Sequence, residues 1–372
     1  MTVRTAPPFR ADHVGSLLRP PGLLRAREQH LAGAISAEEL RTIEDEAIRE
    51  AVRMQEAVGL RSATDGEFRR GSWHMDFIYR LEGIEPSQER LHVEFQSDDG
   101  PLEFSPTAPR VMGKVRLRET IFADDFRALQ SLVTSATPKL TIPSPSMVHY
   151  STGRERIDRS VYPDLESFWH DVGAAYADEV RGLAAVGCTY LQLDDTSLAY
   201  MNDPRQREYI ADLGGDPERQ HESYIATMNA ALAGRPRELV VTTHLCRGNY
   251  RSAWRAEGGY DYVAEALFGD LDVDGFFLEY DDERSGGFEP LRFVPKGKTV
   301  VLGLVTTKRA RLEAKDELKR RVEEAGRHVD VDQLCLSPQC GFSSTVDGNE
   351  LTRDEQIAKL RLVVETAEEI WG

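Results

Sequence analysis

The segment Leu239-Val-Val-Thr-Thr-His244-Leu-Cys246 decides how this sequence is interpreted. Its apolar and β-branched run is typical of a buried strand, and it ends in a histidine and a cysteine two residues apart. Side chains two apart on a strand share a face, so both point to one place. Similar runs end at Glu279 and shortly before Cys340. Three strand ends that carry one imidazole, two thiols and one carboxylate predict a single site at the carboxyl edge of a parallel sheet.

Short apolar runs alternate with amphipathic stretches along the chain, which is typical of repeated βα units. Eight candidate strands predict a (β/α)8 TIM barrel, for which about 250 residues suffice. The predicted strands are 12–16, 61–66, 139–142, 189–194, 239–244, 275–279, 299–304 and 333–337. The predicted helices are 36–58, 165–186, 316–325 and 352–371. A doubly wound sheet is the alternative, but Asp12-His-Val-Gly-Ser does not match the glycine fingerprint that usually opens one.

The chain has 372 residues, and its surplus over a minimal barrel lies largely between residues 80 and 137. The segments Leu91-His-Val-Glu-Phe-Gln and Gly113-Lys-Val-Arg-Leu-Arg alternate in polarity there. This alternation predicts a β-hairpin excursion after the second strand, not a second domain. We therefore expect residues 1–372 to form one single barrel domain.

Composition excludes several classes of partner. The formal charge is 46 − 63 = −17, which argues against nucleic acid or an anionic membrane surface. No run of about 18 apolar residues exists, and the first residues lack the apolar stretch of a signal peptide. Four cysteines in a chain of this length do not form a disulfide scaffold. We expect a cytoplasmic, reduced protein, in which cysteine more often serves metals or catalysis.

The cysteines fall into two groups. Cys188 and Cys335 lie within apolar runs and are expected to be small fillers of buried strands. His244, Cys246 and Cys340 stand instead where strands end. Because thiolates favour zinc among the common ions, we predict one Zn2+ at these strand ends. Four protein ligands normally describe a closed structural zinc, but at a barrel mouth an incoming thiol can replace or join a ligand and bind as its thiolate.

Several motifs taken together resemble the catalytic half of cobalamin-independent methionine synthase, in the form of its short single-barrel homologues. The resemblance covers nearly the whole chain and implies a (β/α)8 barrel whose zinc activates homocysteine for methylation. It implies the zinc ligands His244, Cys246, Glu279 and Cys340. The motifs that carry it are Val14-Gly-Ser16, Thr64-Asp-Gly-Glu67, Leu191-Gln-Leu-Asp194, His244-Leu-Cys246, Leu278-Glu279 and Ser337-Pro-Gln-Cys340-Gly.

The same resemblance implies where the amino-acid substrate binds. Gly15 and Ser16 match the residues that hold the homocysteine carboxylate, and Glu67 and Asp194 match carboxylates that hold its ammonium group. Two acids flanking a cation are chemically sensible. The alternatives are that Asp194 belongs to a helix cap or structural pair, and that Glu67 forms a surface salt bridge with a neighbouring arginine.

Two departures from the family pattern leave the methyl donor open. The segment Gly303-Leu-Val-Thr-Thr-Lys308 lacks the histidine that the family places after the seventh strand, although Lys308 supplies a charge. The segment Leu140-Thr-Ile-Pro-Ser-Pro-Ser-Met147 lacks the tryptophan placed near the pterin. The donor is methyltetrahydrofolate, methylcobalamin or another methylated compound, and we expect turnover with the folate to be weak.

The leading interpretation is a zinc-dependent S-methyltransferase that forms methionine from homocysteine. The runner-up is a thiol alkyltransferase of the epoxyalkane:coenzyme M transferase type, in which Arg19, Arg69 or Arg70 would meet a sulfonate. Hydrolysis by zinc-bound water is disfavoured, because two thiolates make zinc a poorer Lewis acid. A non-catalytic zinc-stabilised scaffold is the last alternative, and it would unfold when the metal is removed.

Overall fold

The computed structural model describes residues 4–150 and 152–372, which contain twelve strands, twelve α-helices and four 3-10 helices. The strands are β1 (Ser62–Ala63), β2 (Glu82–Arg90), β3 (Val93–Phe95), β4 (Leu102–Phe104), β5 (Thr107–Arg116), β6 (Thr137–Pro138), β7 (Leu140–Pro143), β8 (Tyr190–Asp195), β9 (Val240–Leu245), β10 (Gly275–Glu279), β11 (Thr299–Val305) and β12 (Leu334–Pro338). The helices are α1 (Pro21–Leu31), α2 (Ala37–Ala57), α3 (Met75–Ile78), α4 (Ala123–Leu132), α5 (Ser146–Tyr150), α6 (Leu165–Ala185), α7 (Ser197–Tyr200), α8 (Pro204–Asp212), α9 (Gln220–Leu232), α10 (Ala264–Asp270), α11 (Lys315–Ala325) and α12 (Arg353–Trp371). The 3-10 helices are Arg154–Arg156, Glu283–Ser285, Glu289–Phe293 and Val331–Gln333.

Six strands form one parallel sheet in the order β12-β11-β10-β9-β8-β7. Nearly every residue of these strands is buried, as expected for a sheet covered on both faces. The sequence predicted all six to within two residues, and these predictions are confirmed. The chain is therefore an α/β protein whose strands end together at one sheet edge.

The beginning of the chain differs from the prediction. The expected strand at 12–16 is absent, and only Ala11 bridges in parallel to Leu336. The cause is local, because the Asp12 carboxylate accepts the backbone N–H groups of Phe9 and His13. The strand expected at 61–66 shrinks to β1, which pairs in parallel with β6. Within the described residues, 4–150 and 152–372, no β-ladder joins segment 12–16 to segment 61–66. Closure of the sheet into a barrel therefore stays a prediction.

The excursion between β1 and β6 contains two antiparallel pairs. β2 pairs with β5, and β3 pairs with β4. The two segments quoted above, 91–96 and 113–118, thus contribute to different pairs, and a hairpin built from them is not supported in that detail. The β3–β4 pair packs on Tyr250 and Ala253, in the loop that follows β9.

The long helices follow from their caps and apolar faces. A capping box of Ser36 and Glu39 opens α2, and a second one, of Thr352 and Glu355, opens α12. The Asp164 side chain caps α6. All four predicted helices are confirmed, with ends that differ by at most one residue. None of the helices in the described ranges is long and apolar enough to cross a membrane.

Candidate metal and substrate site

Three of the predicted zinc ligands lie together. His244 is part of β9, Cys246 follows that strand directly, and Cys340 follows β12 by two residues. All three are buried, and one ligand atom from each lies within 4.8 Å of the others. The two sulfur atoms are 3.3 Å apart. The strand ends thus bring these side chains to one point at the sheet edge, as the spacing in the sequence predicts.

The chemistry of this group fits a zinc ion. Zinc–sulfur bonds of about 2.3 Å in a tetrahedron place two sulfurs about 3.8 Å apart, close to the separation seen. Both ring nitrogens of His244 are buried, and residues 4–150 and 152–372 offer them no hydrogen-bond partner. A buried imidazole without a partner is costly, and a metal bond would satisfy one nitrogen. His244, Cys246 and Cys340 therefore form a set of soft donors that can hold zinc.

The electrostatics of the cluster favour one thiolate even without a metal. The hydrogen bond from Cys246 holds the pKa of Cys340 well below its usual range, and His244 adds to this effect. The same hydrogen bond raises the pKa of Cys246. Burial alone would lower the pKa of His244, but the neighbouring Cys340 outweighs it and the net shift is upward. The Gly248 N–H also donates to the Cys246 sulfur, at 3.3 Å.

Glu279 ends β10, beside β9, but its carboxylate is engaged elsewhere. Its Oε1 is 2.9 Å from Lys308 Nζ, and its Oε2 accepts the backbone N–H of Arg247 at 2.8 Å. Burial would raise the pKa of Glu279, but Lys308 and Arg247 outweigh it and lower the pKa. The carboxylate is not part of the three-residue group. Its role as the fourth ligand stays a prediction.

Glu67 and Asp194 line the same cavity as the metal group. The Thr141 hydroxyl donates to Glu67 Oε1 at 2.9 Å, whereas Glu67 Oε2 is buried and has no partner. Gln192 donates to Asp194 Oδ1 at 2.6 Å. Burial raises the pKa of both acids, that of Asp194 to about 7. The nearby Glu67 adds to the rise for Asp194, and Asp65 adds to the rise for Glu67. Two desolvated carboxylates at one cavity wall are suited to a cationic group.

The structure separates the alternatives for these acids. Glu67 is 3% exposed, so it is not part of a surface salt bridge, although Arg70 lies 3.6 Å away. Of the adjacent acids Asp194 and Asp195, it is Asp195 whose carboxylate holds the local backbone in place. Its carboxylate accepts the N–H of Leu198 and hydroxyl groups of nearby serines.

Ser16 lines the cavity, and Gly15 stands directly before it. The Ser343 N–H donates to Ser16 Oγ at 3.4 Å. A Cβ on Gly341 would lie 1.9 Å from Ser16 Oγ, so a side chain at this position would displace the Ser16 hydroxyl. Gly15 has φ 147°, and its carbonyl accepts the Thr64 hydroxyl at 2.6 Å. The roles of Gly15 and Ser16 in binding a carboxylate stay predictions.

Much of the cavity wall is aromatic, which the sequence did not predict. The lining residues include Tyr150, Tyr200 and Tyr209 near the metal group, and Arg255 among their rings. The excursion adds further aromatic and apolar side chains. These are Leu91, Val93, Phe95, Phe104 and Pro106. The only signal in the sequence was the alternation around Phe95, and nothing marked Arg255.

The arginines considered for a sulfonate are occupied by the protein. Arg19 donates to the carbonyls of Ser343 and Glu67, among others. Arg69 contacts acidic side chains of α2 and α4, and Arg70 donates to Thr141. None of these three guanidinium groups is available without breaking internal contacts.

The other two cysteines are separate from the site. Cys188 and Cys335 are 3% and 0% exposed, and burial raises the pKa of each thiol to about 12. Such thiols are inert at neutral pH. Both thus fill apolar clusters, as predicted, but only Cys335 belongs to a strand, because Cys188 lies two residues before β8.

Comparison with known proteins gives one consistent result. A family model described as the catalytic domain of cobalamin-independent synthase matches residues 10–369. YxjH of Bacillus subtilis strain 168, described as uncharacterised, is 46% identical over 98% of this chain and 95% of its own length. The crystal structure of a presumptive vitamin-B12-independent methionine synthase from Listeria monocytogenes has TM-score 0.78 and 37% identity, over 99% and 100% of the two chains. A B12-independent methionine synthase from Shewanella sp. W3-18-1, in complex with selenomethionine, has TM-score 0.74 and 20% identity, over 97% of each chain.

Proposed function

Because this chain belongs to the family of cobalamin-independent methionine synthases, matched along residues 10–369, we propose that it transfers a methyl group to the sulfur of homocysteine and forms methionine. The family supports an enzyme with methyltransferase activity. The proposed zinc ligands are His244, Cys246, Glu279 and Cys340. The proposed amino-acid site consists of Gly15, Ser16, Glu67 and Asp194.

One observation carries the proposal: a single cavity joins a cluster of soft metal donors to two desolvated carboxylates. A thiol that also carries an ammonium group, such as homocysteine, matches both features. The relative from Shewanella is in complex with selenomethionine, the selenium analogue of the proposed product. The coenzyme M alternative is less well supported, because its thiol has no ammonium group for Glu67 and Asp194.

The residues around the cavity divide the chemical task. When bound, zinc lowers the pKa of a coordinated thiol and so supplies a thiolate at neutral pH. Glu67 and Asp194 hold the ammonium group, which fixes the direction of the substrate chain. The sulfur–methyl bond then forms as the donor–methyl bond breaks, and the electron pair of the broken bond stays on the donor atom.

We also infer that the parallel strands close into a (β/α)8 barrel around this site. The parallel bridge between Ala11 and Leu336 and the parallel β1–β6 pair support closure. So do the side-chain hydrogen bonds from Ser62 to Asp12 and from Thr64 to Gly15.

The metal assignment is tested by zinc analysis of cysteine variants. Cys246→Ser and Cys340→Ser should each lose most of the bound zinc, because a hydroxyl is a poor ligand for this ion. Cys188→Ser is the matched control and should keep one equivalent per chain. Retention of full zinc by both cavity variants would refute the assignment.

The activity is tested with the zinc-loaded protein and homocysteine. Methionine should form with at least one of methyltetrahydrofolate, methylcobalamin and a methylsulfonium compound. The same screen contains coenzyme M with an epoxide. A thioether from that pair, without methionine from any donor, would favour the alternative function.

A further inference from the structure

Arg255 lies in the wall of the cavity, and within residues 4–150 and 152–372 no carboxylate forms an ion pair with it. Its guanidinium lies over the rings of Tyr150, Tyr200 and Tyr209, at 5.8, 5.3 and 5.2 Å from their centroids. The titratable groups that act most strongly on it are these three tyrosines and no carboxylate. A largely buried guanidinium of this kind is preorganised for an anion, because it forms strong charge-assisted hydrogen bonds and has no internal ion pair to break.

The position of Arg255 links it to the metal group. The backbone N–H of Arg255 donates to the backbone carbonyl of Arg247, the residue after Cys246. Gly248 lies between the two, and a Cβ there would be 2.9 Å from Tyr200 Oη and 3.0 Å from Arg255 Cβ. The same short loop thus carries the proposed metal ligand Cys246 and the Arg255 cation. A molecule bound at Arg255 would lie in the cavity that Cys246 and Cys340 also line.

The wall next to this loop suits a planar or apolar body. Phe95 and Phe104 of the excursion pack with Tyr250, at centroid distances of 5.5 and 4.7 Å from its ring. Trp73 lines the cavity with them. Aromatic side chains contribute large contact areas and stack with other rings.

The anion at Arg255 does not belong to the amino-acid substrate. The carboxylate of an amino acid is bonded to the carbon that carries the ammonium group, so it stays beside Glu67 and Asp194. The charged groups that act on Asp194 are His244, Glu67 and Arg70. Arg255 is surrounded instead by tyrosines, and it remains available to the second substrate.

We propose that Arg255 binds an anionic group of the methyl donor, whose planar or apolar body packs against Trp73, Phe95, Phe104 and Tyr250. That the bound molecule is the methyl donor rests on the proposed function. The anion site itself follows from the contacts of Arg255. The donor thus carries an anionic group such as a carboxylate, sulfonate or phosphate.

Calorimetric titration of the zinc-loaded protein with benzenesulfonate and with methyl phenyl sulfone, its neutral analogue, tests the anion site. Wild-type protein should bind the sulfonate more tightly. Arg255→Gln should weaken binding of the sulfonate about 10- to 100-fold and leave the affinity for the sulfone nearly unchanged. Arg255→Lys should recover part of the loss. Arg207→Gln is the control, because Arg207 stacks over Tyr262 at 4.2 Å and does not line the cavity.

Equal affinity of wild-type protein for the two probes, or no binding of the sulfonate, would overturn the proposal even if Arg255→Gln does not fold.

Steady-state kinetics tests whether the molecule bound at Arg255 is the methyl donor. Arg255→Gln should raise KM for the donor that supports turnover, among methyltetrahydrofolate and methylcobalamin, and leave KM for homocysteine unchanged. The reverse pattern would overturn the assignment to the donor. Probe binding requires no turnover, so absence of methionine with every donor refutes the proposed function and not the anion site.

Discussion

The carboxylate of Glu279, a predicted metal ligand, is held by Lys308 and by the backbone N–H of Arg247. The sequence placed it correctly at the end of a strand, β10. It gave no indication that Lys308, which follows β11, would hold the carboxylate at 2.9 Å. That contact depends on how two neighbouring strands end, and only the tertiary structure contains it. Lys308 is itself buried, and Asp281 lies 4.0 Å from its Nζ.

Lys308 should compete with the metal for Glu279. In Lys308→Met the carboxylate loses its ion-pair partner and becomes available as a fourth ligand. We expect zinc affinity to rise about 10-fold or more, since each 1.4 kcal/mol corresponds to a factor of ten. Competition with a chelator measures this change, and Lys298→Met, a lysine outside the cavity, is the control. Unchanged or weaker zinc binding would mean that Lys308 does not compete.

Asp194 should distinguish thiols by their ammonium group. The Asp194→Asn variant should bind homocysteine about 10- to 150-fold more weakly, because a charge-assisted hydrogen bond is worth about 1.5–3 kcal/mol. It should have little effect on 4-mercaptobutyrate, which is homocysteine without the amine. Binding of both thiols is measured by calorimetry on zinc-loaded protein. Equal losses for the two would remove the proposed ammonium contact.

At the scale of elements, the sequence was most informative where a strand is buried on both faces. The run from Gly275 to Glu279 has the same ends in the prediction and in the structure. Continuous apolar runs of this kind have few alternatives. The predicted strand at 12–16 does not form, because this segment mixes polar residues with Gly15, whose φ is 147°. Its backbone is held by side chains, such as that of Asp12, instead of by a ladder.

Helix α6 carries a buried acid that makes stability depend on pH. Glu179 Oε2 accepts the Ile121 N–H at 2.8 Å, its Oε1 has no partner, and burial raises its pKa to about 7. A carboxyl whose pKa is higher in the folded state binds more protons there, so stability falls as pH rises from about 4.5 to 7. The loss is of order 3 kcal/mol.

The Glu179→Gln variant should lack this dependence. Relative to wild type, its free energy of unfolding should therefore increase between pH 5 and pH 8. Urea denaturation at the two pH values gives the difference. Glu166→Gln, at an exposed position in the first turn of the same helix, is the control. A variant that parallels wild type at both pH values would contradict the assignment.

At the scale of the whole molecule, the parallel sheet was predictable and the cavity was not. Repeated βα units indicate where strand ends gather, which is why His244, Cys246 and Cys340 were predicted as neighbours. The cavity also takes its walls from the excursion, which contributes Phe95 and Phe104. Its placement depends on contacts between segments more than 100 residues apart, such as the Gln96–Trp254 bridge. Local patterns in a sequence do not specify such contacts.

A buried ion pair connects distant parts of the chain inside the sheet. Lys139 and Asp12 are fully buried, with Lys139 Nζ 3.4 Å from Asp12 Oδ1 and 2.5 Å from the carbonyl of His13. The hydroxyls of Tyr190 and Ser62 also donate to the Asp12 carboxylate, both at 2.8 Å. This network ties the first segment of the chain to β1, to the start of β7 and to β8.

Removal of one partner from this pair should destabilise the molecule more than removal of both. Lys139→Met leaves the Asp12 charge buried without its cation, which typically costs about 3–5 kcal/mol. In the double variant Asp12→Asn, Lys139→Met, the charge is gone, and an amide can still accept from Ser62 or Tyr190. We expect the double variant to recover at least about 1 kcal/mol relative to Lys139→Met, a coupling that a double-mutant cycle measures by urea denaturation. Arg320→Met, which breaks an exposed pair with Glu317, should change stability by less than about 0.5 kcal/mol. Additive effects of the two substitutions would show that Asp12 is held by its hydroxyl and backbone donors alone, and that Lys139 contributes only its packing against Tyr190 and Phe277.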